Sequence, residues 1–564
     1  MKDEEFLRDL RALLLEDASP IVPSVLRARI SAIPEAHGPR SLPATLHRKR
    51  LLGLVAGLAV VLLGGGFVFL LARSPAIEAP ASAAPGLSIS VPGPTTAATN
   101  PLAPLFEVAG GGLPVTGDDG TIYLASSSSG PAGQGEVYAF DRNGRIKPGW
   151  PFAPPAIVEF ETPLAGPDGV VYVVGQERSV NGGTRHAELW ALDGGGNVRT
   201  GWPQAADGYV GLGLGPQGTV YLSTQGTAAG GQSELTITAL DAAGVVRSGW
   251  PQVLRGSLSQ NPAFGPDGTL YALIQPATPS ATAQLVALGQ NGATKAGWPM
   301  TVPNGGFLVG PNGLVYVWSF DISGAAGTTP GGPRITRTQF LALDPAGTVH
   351  AGWPITIDGP AGVPTVGSDG TLFTTAGQEG ASEHVLAIGP DGAERAGWPY
   401  SLPAGISAWP YSPQEGLAAS ATSPTVAPDG SLLLAIHPVG DLGKQGILAL
   451  DADGQVRAGW PIWLAPGEAL AWEGGFATGG GSNLVPPVFG ADGTIYLALD
   501  AGGNGRIEAI GPEGRERWRF TPTASPPHGE LFVALAFTSD GKLLATAKTD
   551  SNTTTLVYVL GSDG

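Results

Sequence analysis

One phrase recurs from about residue 105 to the end of the chain: a turn closed by glycine, followed at once by a short apolar strand. Glycine in the fourth position is typical of a turn that ends in a left-handed residue before a strand begins. An aspartate or asparagine in the third position fits the same turn chemistry. The nine copies are GDDGTIYLA (117), GPDGVVYVV (166), GPQGTVYLS (215), GPDGTLYAL (265), GPNGLVYVW (310), GSDGTLFTT (367), APDGSLLLA (427), GADGTIYLA (490) and TSDGKLLAT (538).

Each copy is followed by a second apolar strand and another turn closed by glycine, as in VYAFDRNG at 137–144. A Gly-Trp-Pro tripeptide then follows in seven units, with the tryptophan nine residues after the Asp or Gly that ends the strand. This constant spacing predicts a hairpin of fixed geometry. The tryptophans are Trp150, Trp202, Trp250, Trp298, Trp353, Trp398 and Trp460, and Trp518 stands in an eighth, degenerate copy.

The repeats average about 50 residues and contain only predicted strands. Repeats of this kind are typical of a β-propeller with four-stranded blades. We therefore predict an all-β fold, one large propeller over 105–564. Nine repeats predict nine blades, and eight blades with one irregular repeat is the alternative. In each blade the first strand is expected after Gly-Trp-Pro and the fourth before it, with the tryptophan wedged between blades. The segment 104–108 is expected to supply the outer strand missing after the ninth repeat and so close the ring.

The phrases DGTIYLAS and VYAFDRNG resemble the repeats of quinoprotein-like (PQQ-type) β-propellers across this region. The quinone enzymes of that group typically place a vicinal disulfide beneath the quinone. This chain has no cysteine, so we expect no cofactor. No pair of histidines has the spacing of a metal site, so no metal ligand and no catalytic residue is assigned.

The net charge of the chain limits the classes of partner that it can bind. The chain carries 30 Lys and Arg against 47 Asp and Glu, a formal net charge of −17. Such a surface repels phosphate backbones, so we expect no nucleic-acid partner.

Residues 51–72 form an uncharged apolar run long enough to cross a bilayer as a helix. Three basic residues, 48–50, precede it, so the positive-inside rule places 1–50 in the cytoplasm and the rest outside the membrane. We predict a signal-anchor, single-pass topology in the cell membrane, and a cleaved signal peptide is the alternative. Short helices predicted in the tail suggest a cytoplasmic partner for residues 1–46, although the tail could instead be a membrane-proximal stub that only sets the topology. The Pro-, Ala-, Ser- and Thr-rich stretch 73–104 is interpreted as a linker.

Long insertions at 400–422 and 462–486 depart from the repeat and carry extra aromatic residues. They are expected in the connections from Gly-Trp-Pro to the next blade, on the face of the disc opposite the glycine turns. Exposed aromatic side chains on a loop-rich face favour a carbohydrate or protein ligand, although they could instead pack the loops onto the disc. The candidate ligand-binding residues are Tyr400, Trp409, Tyr411, Trp463, Trp472 and Phe476.

The sequence thus favours a membrane-anchored extracytoplasmic propeller that binds a protein or glycan partner, as a scaffold or as the sensor half of a transmembrane signal. The alternative is a glycan-active hydrolase or lyase with its site in the central funnel. A pair of carboxylates converging in that funnel would support the enzyme.

Overall fold

Nine antiparallel sheets follow one another along the chain and form the nine blades of a β-propeller. All described residues belong to one compact unit, Ser90–Gly564. Residues 51–72 lie outside the described part of the chain, and among the described residues no helix is long and apolar enough to span a bilayer. The computed structural model describes residues 104–127, 134–177, 186–228, 231–276, 282–323, 334–377, 383–408, 424–441, 443–471, 485–522, 529–549 and 554–561.

Each blade is a meander whose second and third strands are the two apolar strands of the repeat. From blade 1 to blade 9, the second strands are Ile122–Ser126, Val171–Glu177, Val220–Thr227, Leu270–Gln275, Val315–Ser323, Leu372–Ala376, Leu432–Pro438, Ile495–Ala501 and Leu543–Thr549. The third strands are Glu136–Phe140, Ala187–Leu192, Ser233–Leu240, Thr282–Leu288, Arg334–Leu343, His384–Ile388, Gly446–Leu450, Gly505–Ile510 and Thr554–Leu560.

The innermost strands, which surround the central channel, are shorter, and several consist of two pieces. They are Val115–Thr116, Ile157–Phe160 with Leu164–Ala165, Tyr209–Leu214, Ser257–Leu258 with Ala263–Phe264, Gly305–Val309, Thr365–Val366, Ile406–Ala408 with Thr425–Val426, Glu468–Leu470 with Val488–Phe489, and Glu530–Phe537. Two short 3-10 turns, Pro167–Gly169 and Pro216–Gly218, precede the second strands of blades 2 and 3.

The order of strands around Gly-Trp-Pro differs from our prediction. The fourth strand follows the tripeptide instead of leading into it: in blade 3, Gln252–Arg255 pairs with the third strand directly after Trp250 and Pro251. The residues before the tripeptide make only a single bridge, Leu240 with Val246. Blade 1 has one bridge in this position, Val137 with Phe152. In the other blades the outer strands are Gln204–Ala205, Gln252–Arg255, Met300–Pro303, Ile355–Asp358, Tyr400–Ser401, Ile462–Trp463, Glu516–Phe520 and, for blade 9, Phe106–Ala109.

The ring closes as predicted. Phe106–Ala109 pairs antiparallel with the last strand, Phe106 opposite Val557. The ring of Phe106 stacks on that of Phe140 in blade 1, with 3.6 Å between centroids. Nine buried apolar clusters occupy the nine blade boundaries, the boundary between blades 9 and 1 included. Burial of apolar surface between neighbouring blades therefore holds the ring together.

The tryptophan of each Gly-Trp-Pro lies between two blades, as predicted, and is only 6–7% exposed. In blade 4, Trp298 packs on Tyr271 of its own blade at 5.4 Å between centroids. Its indole N–H donates to the carbonyl oxygen of Pro345, in a turn of blade 5, at 3.0 Å. All seven Trp–Pro peptide bonds are cis. The repeat thus carries its own contact to the next blade.

A carboxylate fixes the recurring glycine turn. Asp267 accepts hydrogen bonds from the backbone N–H of Thr269 at 3.0 Å and from its hydroxyl at 2.8 Å. Lys295, three residues before Trp298, donates to the same carboxylate at 2.7 Å. Asp267 therefore has a structural role, and so do the aspartates that form the equivalent ion pairs in other blades. The equivalent ion pairs are Lys147–Asp119, Arg395–Asp369, Arg457–Asp429 and Arg517–Asp492.

Candidate functional site: the innermost strands of blades 7 and 8

Six innermost strands are interrupted at the same register. In blade 2, Phe160 pairs opposite Gly175 and Leu164 opposite Tyr172. The two partners on the second strand, Gly175 and Tyr172, are thus three residues apart. Pairs on either side of the interruption have partners with this same separation in blades 1, 4, 6, 7 and 8. The interruptions therefore lie at one level of the channel wall.

A proline marks each interruption, three residues before the recurring turn. Proline has no N–H to donate to the second strand, so the ladder breaks there. The equivalent residues Leu212, Phe307 and Leu535 belong to the uninterrupted innermost strands of blades 3, 5 and 9. This signal was present in the sequence but not used in our prediction. The prolines are Pro114, Pro163, Pro262, Pro364, Pro424 and Pro487.

Blades 7 and 8 differ from the others in what fills the interruption. In blades 1, 2, 4 and 6 the gap is a few residues, such as 161–163 in blade 2. In blade 7 the chain leaves the innermost strand after Ala408 and returns at Thr425. In blade 8 it leaves after Leu470 and returns at Val488. The two long insertions therefore start in the channel wall, not in the connection between blades as we predicted.

The ends of the blade 8 insertion meet. Ala471 donates its backbone N–H to Ala498 of the second strand at 3.0 Å. Val485 donates its N–H to the carbonyl oxygen of Ala471 at 2.8 Å. Both Ala471 and Val485 are buried. Ala471 and Val485, the described residues on either side of the insertion, therefore lie next to each other at the channel wall.

Two of the six predicted aromatic residues are described, and both lie at one blade boundary. Tyr400, on the outer strand of blade 6, and Trp463, on the outer strand of blade 7, pack against the same buried cluster. Burial raises the pKa of Tyr400, and the ammonium group of Lys444 lies 5.0 Å from the ring centroid of Trp463. These two residues are at the periphery of the disc, so they do not share a site with the channel wall.

The other four, Trp409, Tyr411, Trp472 and Phe476, lie outside the described residues. In the sequence, Trp409 directly follows Ala408 and Trp472 directly follows Ala471. Their binding role stays a prediction.

Arginine and glutamate side chains alternate in a row of ion pairs, the charge row, that contacts the innermost strand of blade 8. Arg506 donates to Glu468, on that strand, at 2.9 Å and to Glu508 at 2.7 Å. Arg519 contacts Glu508 at 3.1 Å and Glu516 at 2.6 Å. Burial raises the pKa of Glu508 although both arginines oppose it. Burial also acts to raise the pKa of Glu468, but the hydrogen bond and charge of Arg506 outweigh it and lower that pKa.

A second group of titratable side chains lies on the innermost strands of blades 2 and 3 and in the interruption of the blade 2 strand. Gln176 donates to Glu161 at 2.7 Å. Burial and the charge of Glu159 raise the pKa of Glu161, and burial with the charge of Glu161 raises the pKa of Tyr209 to about 12. Two carboxylates therefore interact near the channel. Among the described residues, no group of three or more His, Asp or Glu side chains could hold a metal ion.

Comparison with known proteins assigns the chain to no family. No protein-family model matches the chain, and no curated protein matches it. The structure is similar to that of a eukaryotic initiation factor (13% identity, 74% of this chain and 89% of that one, TM-score 0.47). It is also similar to Sqt1 of Saccharomyces cerevisiae (10%, 82% and 100%, TM-score 0.41) and to the Dos1 propeller (11%, 69% and 90%, TM-score 0.34). At these TM-scores the likenesses carry no argument, so the assignment as a β-propeller rests on the nine sheets and their closure.

Proposed function

We propose that the protein is a membrane-anchored, extracytoplasmic binding domain that holds a protein or glycan partner through the insertions of blades 7 and 8. The observation that carries this proposal is the shared register of the two insertions. Adjacent blades interrupt their innermost strands at the same level, and only these two of the interrupted strands carry long segments there. Membership of the quinoprotein-like group is part of the same proposal.

Rigidity of the ring supports a binding role. Apolar clusters fill every blade boundary, and the tryptophan contacts join successive turns. Loops carried by such a scaffold keep their attachment points fixed, which lowers the entropy lost when a partner binds. The insertion sequences contribute aromatic side chains, which suit contacts with the apolar faces of sugars or with protein surfaces.

Site-specific photo-crosslinking in the full-length protein, in native membranes, tests the proposal. A photoreactive phenylalanine analogue replaces Ser412 or Glu473, one in each insertion. Matched controls place it at Leu113, in the short interruption of blade 1, and at Val210, on the innermost strand of blade 3, which are 40% and 38% exposed. We expect adducts from the insertions and none from the controls. Equal yields from all four positions would contradict the proposal, and mass spectrometry of an adduct distinguishes a protein from a glycan partner.

The anchor proposal concerns residues 51–72, preceded by the basic residues 48–50. If the tail 1–46 binds a cytoplasmic regulator, the protein is a sensor and the propeller is its input domain. Deleting residues 1–46 keeps the basic residues, so the topology is expected to stay the same. Loss of a crosslinked cytoplasmic protein in this deletion supports the sensor, whereas unchanged extracytoplasmic adducts with no cytoplasmic partner support a scaffold.

A second candidate function, glycan hydrolysis or elimination in the central channel, is favoured by Glu159 and Glu161. A carboxylate whose pKa is raised by burial and by a second carboxylate suits proton transfer. The test is release of reducing ends from a panel of polysaccharides, comparing the full-length protein with Glu161→Gln. Activity lost in the variant would support the enzyme, and an inactive wild type would exclude it for those substrates.

A further inference from the structure

The chain enters the propeller at the face that carries the glycine turns. The two glycine turns of a blade lie at the same end of its meander, because they join the first strand to the second and the third to the fourth. We call this side of the disc the glycine-turn face. Leu105 donates its backbone N–H to the carbonyl oxygen of Val557 at 2.7 Å, just before the strand that closes the ring. A Cβ atom at Gly144, which closes the second turn of blade 1, would lie 2.5 Å from the carbonyl oxygen of Leu105. The chain that precedes the propeller is therefore attached beside this turn.

The second turns of blades 1, 2 and 3 touch one another in series. At Gly149, the carbonyl oxygen of Gly195 in the second turn of blade 2 leaves no room for a Cβ atom. At Gly201, the carbonyl oxygen of Ala243 in the second turn of blade 3 does the same. The three turns therefore form one continuous row, which begins where the chain enters the ring.

Aliphatic side chains are exposed along this row. Ile146, Val198 and Val246 each stand four residues before the tryptophan of Gly-Trp-Pro, and they are 49%, 38% and 42% exposed. Val245, next to Val246, is 60% exposed. We call these four residues the apolar strip. Isolated exposed aliphatic residues are ordinary on a protein surface, whereas a continuous group of them indicates a surface that is covered in the working protein.

Charge is distributed unevenly over the glycine-turn face. Over the two glycine turns and the residues up to Gly-Trp-Pro, blades 1–3 carry five basic and six acidic residues. Over the same positions, up to Trp518 in blade 8, blades 6–8 carry four basic and nine acidic residues. Two of these acids, Glu394 and Glu516, stand where blade 1 has Ile146. A bilayer that contains anionic lipids repels an acidic surface more than a neutral one, so the side where the chain enters is the better suited to approach a membrane.

We propose that the apolar strip contacts the lipid bilayer, with blades 1–3 turned toward the membrane and blades 6–8 away from it. The inference rests on the proposed function, because it requires the anchor at 51–72. A chain of about 30 residues between the anchor and Leu105 reaches at most about 100 Å in any conformation. Tethering at this distance gives the strip a high effective concentration at the bilayer, so a weak contact suffices. Removal of the aliphatic side chains from water at the membrane interface supplies that contact.

A fluorescent dye attached to single cysteines tests the contact in the full-length protein. The chain contains no cysteine, so Ile146→Cys, Val198→Cys and Val246→Cys each place an environment-sensitive dye at one position of the strip. The matched controls are Val349→Cys and Val456→Cys, at the same position of the repeat in blades 5 and 7 and with similar exposures of 47% and 39%. Each variant is reconstituted into liposomes of phosphatidylcholine and phosphatidylglycerol that contain a nitroxide-labelled lipid as quencher.

The comparison between strip and controls decides the proposal. We expect severalfold stronger quenching, and emission at shorter wavelength, at the three strip positions than at the two controls. Equal quenching at all five positions, in protein that floats with the liposomes and resists alkaline extraction, would overturn the contact while leaving the anchor intact. Emission at shorter wavelength without quenching by the lipid would mean that a protein surface covers the strip, and would also overturn it. Protein that does not float with the liposomes would contradict the anchor and, with it, this inference.

Added negative charge gives a second measurement. With the dye at position 146, Val198→Glu combined with Val246→Glu should lower the quenching to the level of the controls, because anionic lipids repel the new carboxylates. Val349→Glu combined with Val456→Glu should leave it unchanged. An equal fall with both pairs would contradict a contact made by blades 1–3. All four positions are exposed, and thermal unfolding of each variant verifies that the ring is still folded.

Discussion

Trp353 of blade 5 donates its indole N–H to the carbonyl oxygen of Pro390 in blade 6 at 2.8 Å. The same ring packs on Tyr316 of its own blade, with 5.6 Å between centroids. Equivalent hydrogen bonds occur at the other six Gly-Trp-Pro sites. One side chain per repeat therefore joins its own blade to the next, and this contact underlies the regularity of the ring.

Replacement of Trp353 separates the two contributions of the indole. In Trp353→Phe the ring packing on Tyr316 remains but the hydrogen bond to Pro390 is lost, so we expect a loss of about 1 kcal/mol. Trp353→Ala also removes the packing and is expected to cost about 3–5 kcal/mol. Thermal unfolding of the full-length protein measures both. Equal losses in the two variants would mean that the hydrogen bond, not the packing, dominates the contact.

Glycine is required before each tryptophan because the backbone of the next blade lies too close to leave room for a Cβ atom. Gly352 has a φ of +88°, and a Cβ there would lie 1.8 Å from the carbonyl oxygen of Asp391 in the next blade. We expect Gly352→Ala to destabilise the ring by about 2–5 kcal/mol, from backbone strain and the clash together. Gly541→Ala is the control, because Gly541 has a φ of +80° with nothing within 4 Å. The two variants should differ clearly in thermal unfolding, and equal losses would show that the clash relaxes.

The turn aspartates predict a dependence of stability on pH. Partial burial acts to raise the pKa of Asp267, but hydrogen bonds from Lys295 and Thr269 outweigh it and hold the pKa at about 2. Because the folded pKa lies below the unfolded one, this stabilisation is complete above about pH 4 and is lost as the pH falls toward 2. The carboxylate is half exposed, so we expect Asp267→Asn to cost less than about 1 kcal/mol at pH 7.

Urea unfolding of the wild type and Asp267→Asn between pH 2 and pH 6 checks this. The difference in the free energy of unfolding should vanish as the pH falls toward 2. A difference that stays constant over the whole range would show that the charge of Asp267 does not contribute.

The charge row of blade 8 predicts a large effect from a single arginine. Arg506→Leu leaves the half-buried Glu468 without its cation and leaves the buried Glu508 with Arg519 as its remaining cation, and we expect a loss of about 3–5 kcal/mol at pH 7. In this variant the folded pKa of the carboxyls rises above the unfolded value, so the loss should shrink as the pH falls toward about 4. Arg515→Leu, at an exposed position in the same blade, should change stability by less than about 0.5 kcal/mol. A loss for Arg506→Leu that is independent of pH would contradict this account.

The repeat predicted the main features of the fold because each unit carries its own turn and packing residues. The number of blades, the closure by the segment that includes Phe106, and the position of the tryptophans between blades all follow from local spacing. The predicted order of strands around Gly-Trp-Pro was wrong because the constant spacing before Trp250 suggested that the residues leading into it form the fourth strand. The structure has only one bridge there, and the ladder resumes after Pro251.

The site was less predictable because its contacts join distant parts of the chain. Pro424 and Pro487 indicated where the innermost strands of blades 7 and 8 break, and this pattern could have placed the insertions in the channel wall. Glu383 of blade 6 accepts the backbone N–H of Ala408 in blade 7, and Gln445 of blade 7 accepts that of Leu470 in blade 8. These bonds cross blade boundaries, so no local pattern shows them. Glu508 stands where the other blades have mostly apolar or aromatic residues, a departure that becomes meaningful only once Arg506 and Glu468 are known to lie beside it.

The double variant Trp409→Ala/Trp472→Ala shows whether the insertions of blades 7 and 8 hold the partner. Crosslinking in native membranes is compared for the wild type, the double variant and the control Leu113→Ala/Val210→Ala, each full length, alongside thermal unfolding. We expect the double variant to lose the partner captured by the wild type while its unfolding midpoint stays unchanged, and we expect the control to keep the partner. Retention of the partner by the double variant, or its loss only together with unfolding, would contradict a binding site at the insertions of blades 7 and 8.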